Sequence, residues 1–343
     1  MSFRSWVTVI TLILLSLVIY FGWPQIIQAW GLLGTINLWI LALLVPVQFF
    51  SYYAIGAMIF SYLRSKGDLK TTTHWQMTRM ALELNFVNHI VPSGGAAGFS
   101  YLGWVLSRHG VRPGRATMAQ IVRFVLAFVS FIVILVIAVI GLALDHKIGR
   151  GIIIISAAMT LAAVVASIFL GYILGSKRRL TIFSGWLTKT TNAFISFVSR
   201  GRRPQTLRLE IIENFFVELY QDYIEIRRDK RILIRPLIWA VLVNLADVAL
   251  IWISFLALGV WVNPALLYVA FGVASVASIV SVTPGGTGLY EAIMIALLVS
   301  AGVPAEVSIA GTLLARVTLL MGTVIFGYLF YQLTIVKYGK NPV

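Results

Sequence analysis

The chain has 343 residues, 59% hydrophobic and 11% charged, with a mean hydropathy of +0.93; soluble chains average about 25% charged, and one hydrophobic core stops growing at about 250–300 residues, so a water-soluble fold of this length could not hide so much apolar surface. Its 27 Lys/Arg against 12 Asp/Glu leave a net charge of +15, which in a lipid-embedded chain means positive-inside loops and contact with anionic headgroups, with no basic soluble module that would bind nucleic acid. Zero cysteines exclude disulfides, thiolate metal sites and a Cys nucleophile, and four His without an HExxH spacing give no reason to expect a metal or cofactor.

In chain order, apolar runs long enough to cross a bilayer, about 20 residues each, lie at 6–22, 37–62, 116–144, 151–175, 236–259 and 304–332. The first could be mistaken for a signal peptide, but only Arg4 precedes it and Trp23-Pro24-Gln25 follows in place of a small-residue cleavage site, so it reads as a retained helix. Two further apolar regions, 76–107 and 264–301, are each broken near the middle by a Pro-Gly-Gly-type step. With arms of about 14–18 residues, short of a full span, these read as re-entrant hairpins. The 177–235 connection holds thirteen Lys/Arg against six Asp/Glu. Its 206–229 stretch has near-helical apolar spacing, the pattern of an amphipathic helix lying on the inner leaflet; a cap helix packed on the bundle is the alternative. The fold class is therefore an all-α polytopic membrane protein with about six spanning helices and two re-entrant Pro-Gly-Gly hairpins.

Connection charges set the orientation. Arg64, Lys66, Lys70 and Arg79 surround the first hairpin's entry, and Arg108, Arg112 and Arg115 its exit, whereas 23–36 and 260–263 carry no charge. Positive-inside places both termini, 63–79 and 177–235 in the cytoplasm, provided that 76–107 enters from and returns to that side while 264–301 does so from outside.

The two broken regions also resemble each other. Pro92-Ser93-Gly94-Gly95 and Pro284-Gly285-Gly286 are each followed, at nearly equal intervals, by a Gly-Val step (Gly110-Val111, Gly302-Val303), a second Pro (Pro113, Pro304) and a lone Arg inside the next apolar helix (Arg123, Arg316). Copies that begin on opposite sides make an inverted-topology repeat, 37–144 and 236–332, within a single membrane domain. Such repeats with broken helices recur in transporters, with the substrate near the midplane. Proline stops the helix, glycines admit positive φ and close approach, and freed N–H groups favour an anion such as phosphate. Gly94, Gly95, Gly285 and Gly286 are accordingly candidates for lipid-headgroup binding. Arg at bilayer depth costs at least about 2.5–3.5 kcal/mol, so Arg123 and Arg316 read either as phosphate ligands or as structural partners of Glu83 and Glu291. Glu83, Glu291 and Asp247 are candidates for charge balance or a proton relay. Asn85, Asn88 and His89 read as helix–helix hydrogen-bonding groups.

The motifs Pro92-Ser93-Gly94-Gly95 and Pro284-Gly285-Gly286-Thr287-Gly288-Leu289-Tyr290-Glu291, each with a downstream intramembrane Arg, resemble the flippase-like transmembrane region of lysyl-phosphatidylglycerol synthases, over about residues 5–335. The resemblance implies translocation of an anionic or phosphate-bearing lipid, a phospholipid or a polyprenyl-linked lipid, between leaflets of a bacterial or archaeal plasma membrane. The soluble synthase domain is not expected here, nor aminoacyl transfer. The alternatives are an integral-membrane transferase of lipid-linked glycan or envelope lipid synthesis, a secondary ion or small-solute transporter, and an accessory subunit of an envelope-synthesis enzyme. No DxD or catalytic His-Asp pair speaks for the transferase, so no catalytic residue is expected. Lipids are the expected partners, and homo-oligomerisation is left open.

Overall fold

The computed structural model describes residues 36–91, 96–144, 175–182, 209–279 and 287–338, with scattered positions between 13 and 34 and between 154 and 190. The expected spans at 6–22 and 151–175 are thus described only at scattered positions, and Gly94, Gly95, Gly285 and Gly286 lie outside the described residues. Among the described residues there is no strand. The helices are α1 (Leu38–Ala42), α2 (Leu44–Ser65), α3 (His74–Ile90), α4 (Ala96–Arg108), α5 (Pro113–Leu144), α6 (Leu209–Arg228), α7 (Ile234–Ala257), α8 (Pro264–Ile279), α9 (Leu289–Ser300) and α10 (Ala305–Tyr338), with a 3₁₀ turn at Lys230–Leu233.

Four segments are long and apolar enough to cross a membrane: Leu38–Ser65, Pro113–Ala143, Lys230–Ala257 and Ala305–Lys337. They coincide with four of the six expected spans. Their outer faces suit lipid: on α10, Met321, Ile325, Leu329, Leu333 and Val336 form an exposed apolar stripe at helical spacing. The expected hairpins are helix pairs, α3/α4 and α8/α9. Their arms have 17, 13, 16 and 12 residues, all below the length of a full crossing.

Local signals account for the boundaries. Asn37 caps α1, its Oδ1 accepting from Trp39 and Ile40 N–H. Thr73 and Gln76 form a reciprocal capping box at the start of α3. α4 and α9 end alike: Gly110 (φ +80°) and Gly302 (φ +91°) turn left-handed, and the following Val111 and Val303 N–H groups return to Leu106 and Leu298 carbonyls at 3.1 and 3.0 Å. α2 and α7 close with the same turn at Gly67 and Gly259, and the interval from Gly67 to Gly259 equals that from Gly110 to Gly302.

The packing has an exchange pattern. The first spans, α2 and α7, pack on each other, while α3 packs on α10 and α8 packs on α5. Each of these crossed interfaces seats a phenylalanine on a glycine. A Cβ built on Gly327 of α10 would stand 2.5 Å from Phe86 Cβ of α3, and one on Gly272 of α8 would stand 2.4 Å from Phe131 of α5.

α6 differs from the inner-leaflet expectation. It docks on the bundle: Leu219, Tyr220, Tyr223 and Ile226 pack into the core cluster that holds Tyr62, Leu106 and Met118. Its acids at 218, 222 and 225 share one face and meet the basic turns. Glu218 accepts from Gly114 N–H at 3.1 Å, Asp222 lies 3.5 Å from Arg115, and Glu225 bonds Lys66. The apolar contacts, the Glu218 hydrogen bond and the Lys66–Glu225 pair hold it on the protein.

Candidate functional site

α9 begins at Gly288, whose φ of +94° re-aims the chain into the helix. Three residues on, Glu291 accepts from the Gly288 N–H at 2.6 Å through Oε2 and from Arg316 Nε at 3.0 Å through Oε1. A carboxylate in the first turn is also favoured by the helix dipole. The Arg316 guanidinium lies 4.6 Å from the Tyr290 ring centroid, about three turns into α10. His89, in the last turn of α3, lies within electrostatic reach of Arg316, so the end of the first helix pair's leading arm approaches the arginine that follows the second pair. Of the two expected arginine–glutamate pairs, Arg316–Glu291 forms.

The other does not. α5 begins at Pro113, earlier than the apolar run, so Arg123 sits nearly three turns in, about 15 Å along the axis. That is about a third of the length of this 32-residue helix, and two turns past the start of the apolar run at 116. Among the described residues no carboxylate pairs with Arg123, and its buried Nε has no hydrogen-bond partner. The guanidinium lies 4.4 Å from the Phe124 centroid, and Phe124 stacks on Phe99 in the first turn of α4. Arg123 is thereby placed beside the start of the helix that follows the Pro92-Ser93-Gly94-Gly95 break. One turn back on the same face, fully buried Gln120 donates to the Phe99 carbonyl at 3.1 Å, leaving its own Oε1 without a partner. This spot therefore offers one unmet donor and one unmet acceptor. The sequence reading missed Gln120; its signal was the three-residue spacing from Arg123 on an otherwise apolar face.

Glu83, expected as a partner for Arg123, is committed elsewhere. It accepts from Arg79 Nε at 2.8 Å, Thr334 Oγ1 at 2.7 Å and Tyr101 OH at 2.7 Å. Arg79, one helical turn away, outcompetes Arg123. This knot ties α3, α4 and α10 together and borders a cleft lined also by Gln76, His109 and Lys337.

Asp247 lies at the middle of α7. Among the described residues its carboxylate receives one hydrogen bond, from Ser51 Oγ on α2 at 3.1 Å. Polar chains flank it. On one side Gln48 donates to Tyr52 OH at 2.8 Å, and Tyr52 bonds Thr323. On the other, Asn244 donates to Ser130 Oγ at 2.6 Å and accepts from Tyr268 OH at 3.2 Å.

Of the hairpin polar groups, Asn88 accepts from Gly98 N–H at 3.1 Å, and a Cβ on Gly98 would stand 2.1 Å from Asn88 Oδ1. The close approach at Gly98 is thus made by its own hairpin. His89 Nδ1 pairs with the Asn85 carbonyl of its own helix at 2.8 Å. Among the described residues no group of His, Asp and Glu could hold a metal ion.

Comparison with known proteins gives a family model described as the lysylphosphatidylglycerol synthase TM region, which matches residues 6–327. A UPF0104 membrane protein of Methanothermobacter thermautotrophicus is 22% identical over 265 residues, covering 71% of this chain and 75% of that protein. No solved structure matches the chain.

Proposed function

The chain belongs to the lysylphosphatidylglycerol synthase TM region family, and from that premise we propose that it translocates an anionic, phosphate-bearing lipid between the leaflets of the plasma membrane. The observation that carries this reading is Arg123: a guanidinium about a third of the way along a span, with an unpartnered Nε and no acid beside it among the described residues. A charge at that depth is retained where it meets a ligand or a counter-ion, and a phosphate matches the planar fork of arginine. Gln120 Oε1 then accepts from a hydroxyl or amine next to that phosphate. Arg316, neutralised by Glu291 in the resting state, receives the headgroup in the second half of the path. Gly94, Gly95, Gly285 and Gly286 supply backbone at the breaks. The two halves, 37–144 and 236–332, are inverted repeats whose hairpins re-enter the membrane. The crossed packing of α3 on α10 and of α8 on α5, the paired glycine turns and the short arms support this arrangement.

The test is translocation of a fluorescent phosphatidylglycerol in liposomes that hold only this protein. Arg123→Ala should slow it by tenfold or more, the scale of about 1.4 kcal/mol. Arg123→Lys should recover part of the rate, because an ammonium is a point charge without the fork. Equal rates in wild type and Arg123→Ala would remove Arg123 from the path. Protein-free and protein-containing vesicles translocating alike would remove the function and leave the accessory-subunit reading.

A further inference from the structure

Among the described residues, three carboxylates lie in the hairpins or the interior of the spans, Glu306 being at a span's first turn, and their surroundings set them apart. Glu83 is fixed by Arg79, Thr334 and Tyr101, and Glu291 by Arg316 and the Gly288 N–H. Protonating either would strand a partly buried arginine and break two or three hydrogen bonds. Asp247 has neither constraint. Its one hydrogen bond comes from the Ser51 hydroxyl, which can donate to the ionised form or turn to accept from the protonated one. No cation pairs with it among the described residues, so gaining a proton strands nothing. Ionisable groups at mid-span are costly and mark ion or proton pathways.

The neighbourhood supplies a reason. Tyr52 and Tyr268, on the two flanking polar chains, are both within electrostatic reach of Asp247. Tyr290, which carries Arg316 on its face, feels Asp247, Glu291 and Arg316 together. The titratable groups that feel Asp247 are therefore Tyr52 on α2, Tyr268 on α8 and Tyr290 on α9, and Tyr290 in turn feels Glu291 on its own helix and Arg316 on α10. α5 brings Ser130 to the adjacent turn, while its Arg115 and Arg123 lie nearer its N-terminus. An ionised Asp247 repels an anionic headgroup approaching Arg316, and a protonated one does not.

We propose that Asp247 is the proton-coupling site of lipid translocation: it takes one proton from one side as the anionic headgroup passes Arg316 and releases that proton to the other side, so proton and lipid move together. This rests on the translocase reading above. Sodium is the disfavoured ion: coupling sodium sites draw on carbonyls freed where a helix unwinds, and α7 runs unbroken from 234 to 257 across Asp247.

The experiment uses the purified full chain in liposomes of phosphatidylglycerol with a fluorescent phosphatidylglycerol tracer and an imposed pH gradient, leaflet distribution being read by chemical quenching. In the wild type the tracer should accumulate in the leaflet facing the more alkaline side, by up to about tenfold per pH unit for one proton per lipid. In Asp247→Asn its distribution should be the same whatever the sign of the gradient. Ser51→Ala, the milder change, should keep the gradient response and shift the pH dependence of the rate; this variant carries the test if Asp247→Asn does not fold. A wild type that equilibrates tracer but ignores the pH gradient overturns the coupling and leaves translocation standing. So does Asp247→Asn responding like wild type, or a sodium gradient at constant pH driving accumulation. Absence of any tracer movement overturns translocation, and the coupling with it.

Discussion

At the residue scale the two intramembrane arginines, alike in sequence, differ in what holds them. Removing Arg316 leaves Glu291 buried without its counter-ion, a loss of up to about 3–5 kcal/mol. Arg316→Met should therefore lower the detergent-solubilised protein's unfolding temperature, and Arg316→Met/Glu291→Gln should recover much of it. Arg123→Met should do the opposite: it removes a charge costing at least about 2.5–3.5 kcal/mol at depth and breaks no ion pair, so the unfolding temperature should rise while translocation falls. A drop in stability comparable to that of Arg316→Met would show Arg123 to be structural. Both arginines and their candidate partners were legible in the sequence, but the assignment of partners was only half legible. Glu291 is 25 residues from Arg316, a pairing that the Gly288 turn creates. Glu83 sits four residues after Arg79, and this local i,i+4 spacing wins over the more distant Arg123. Gln120 was passed over because an amide in an apolar run carries no charge to draw notice, and only its spacing from Arg123 marked it.

At the element scale, α6 shows how far composition goes. Its apolar face was legible, but a helix with one apolar stripe suits a lipid surface and a protein surface equally. What decides is the acidic face at 218, 222 and 225, which matches Gly114, Arg115 and Lys66 brought together only by the fold. Lys66 beside Glu225 holds that carboxyl below the usual range, whereas burial pushes Asp222 up. A depressed carboxyl contributes docking stability that is complete above the usual range and is lost as pH falls through its depressed value. Asp222, raised, acts with the opposite sign, since its charge is disfavoured in the docked helix. Acid loosening of α6 therefore belongs to Glu225. Amide protection factors over 217–228 should fall as pH drops below about 4, and Glu225→Gln should remove most of that dependence. An unchanged profile in the variant would assign the effect to another group. The crossed interfaces give a second check. Gly327→Leu would drive a side chain into Phe86, an overpacking change of about 1–3 kcal/mol, and should separate α3 from α10, measured as faster exchange of the α3 amides. Exchange at wild-type rates would mean that the contact is not tight.

At the scale of the whole molecule, four of the expected spans were legible because apolar length is a direct requirement of the bilayer. The proposed repeat rests on Pro, Gly and Arg, residues whose backbone or charge leaves few alternatives. The matched turns at Gly67 and Gly259 extend that pattern; single glycines at helix ends are common enough to pass unnoticed in a sequence. The handedness of each half relative to the membrane follows from neither packing nor repeat, because exchanging inside and outside leaves every contact intact. Only the basic connections bear on it, and they bear strongly: Arg64, Lys66 and Lys70 precede the first hairpin and Arg108, Arg112 and Arg115 follow it, whereas the matching turns around Gly259 and Gly302 carry no basic residue. Positive-inside then puts 63–72 and 109–114 in the cytoplasm and 260–263 outside. The chain has no cysteine, so single cysteines can be placed without background. At 63–72, 109–114 and 217–228 they should react with a membrane-impermeant maleimide only after the membrane is opened; at 260–263 they should react in intact cells. The position that separates the possibilities is 109–114. If 76–107 were a full crossing and a return were lacking, this turn would label from outside. The copies would then share one orientation, and the inverted repeat, with the midplane site built on it, would fall. Cytoplasmic labelling at 109–114 together with outside labelling at 260–263 is the outcome required by two hairpins that enter from opposite faces and meet in the middle.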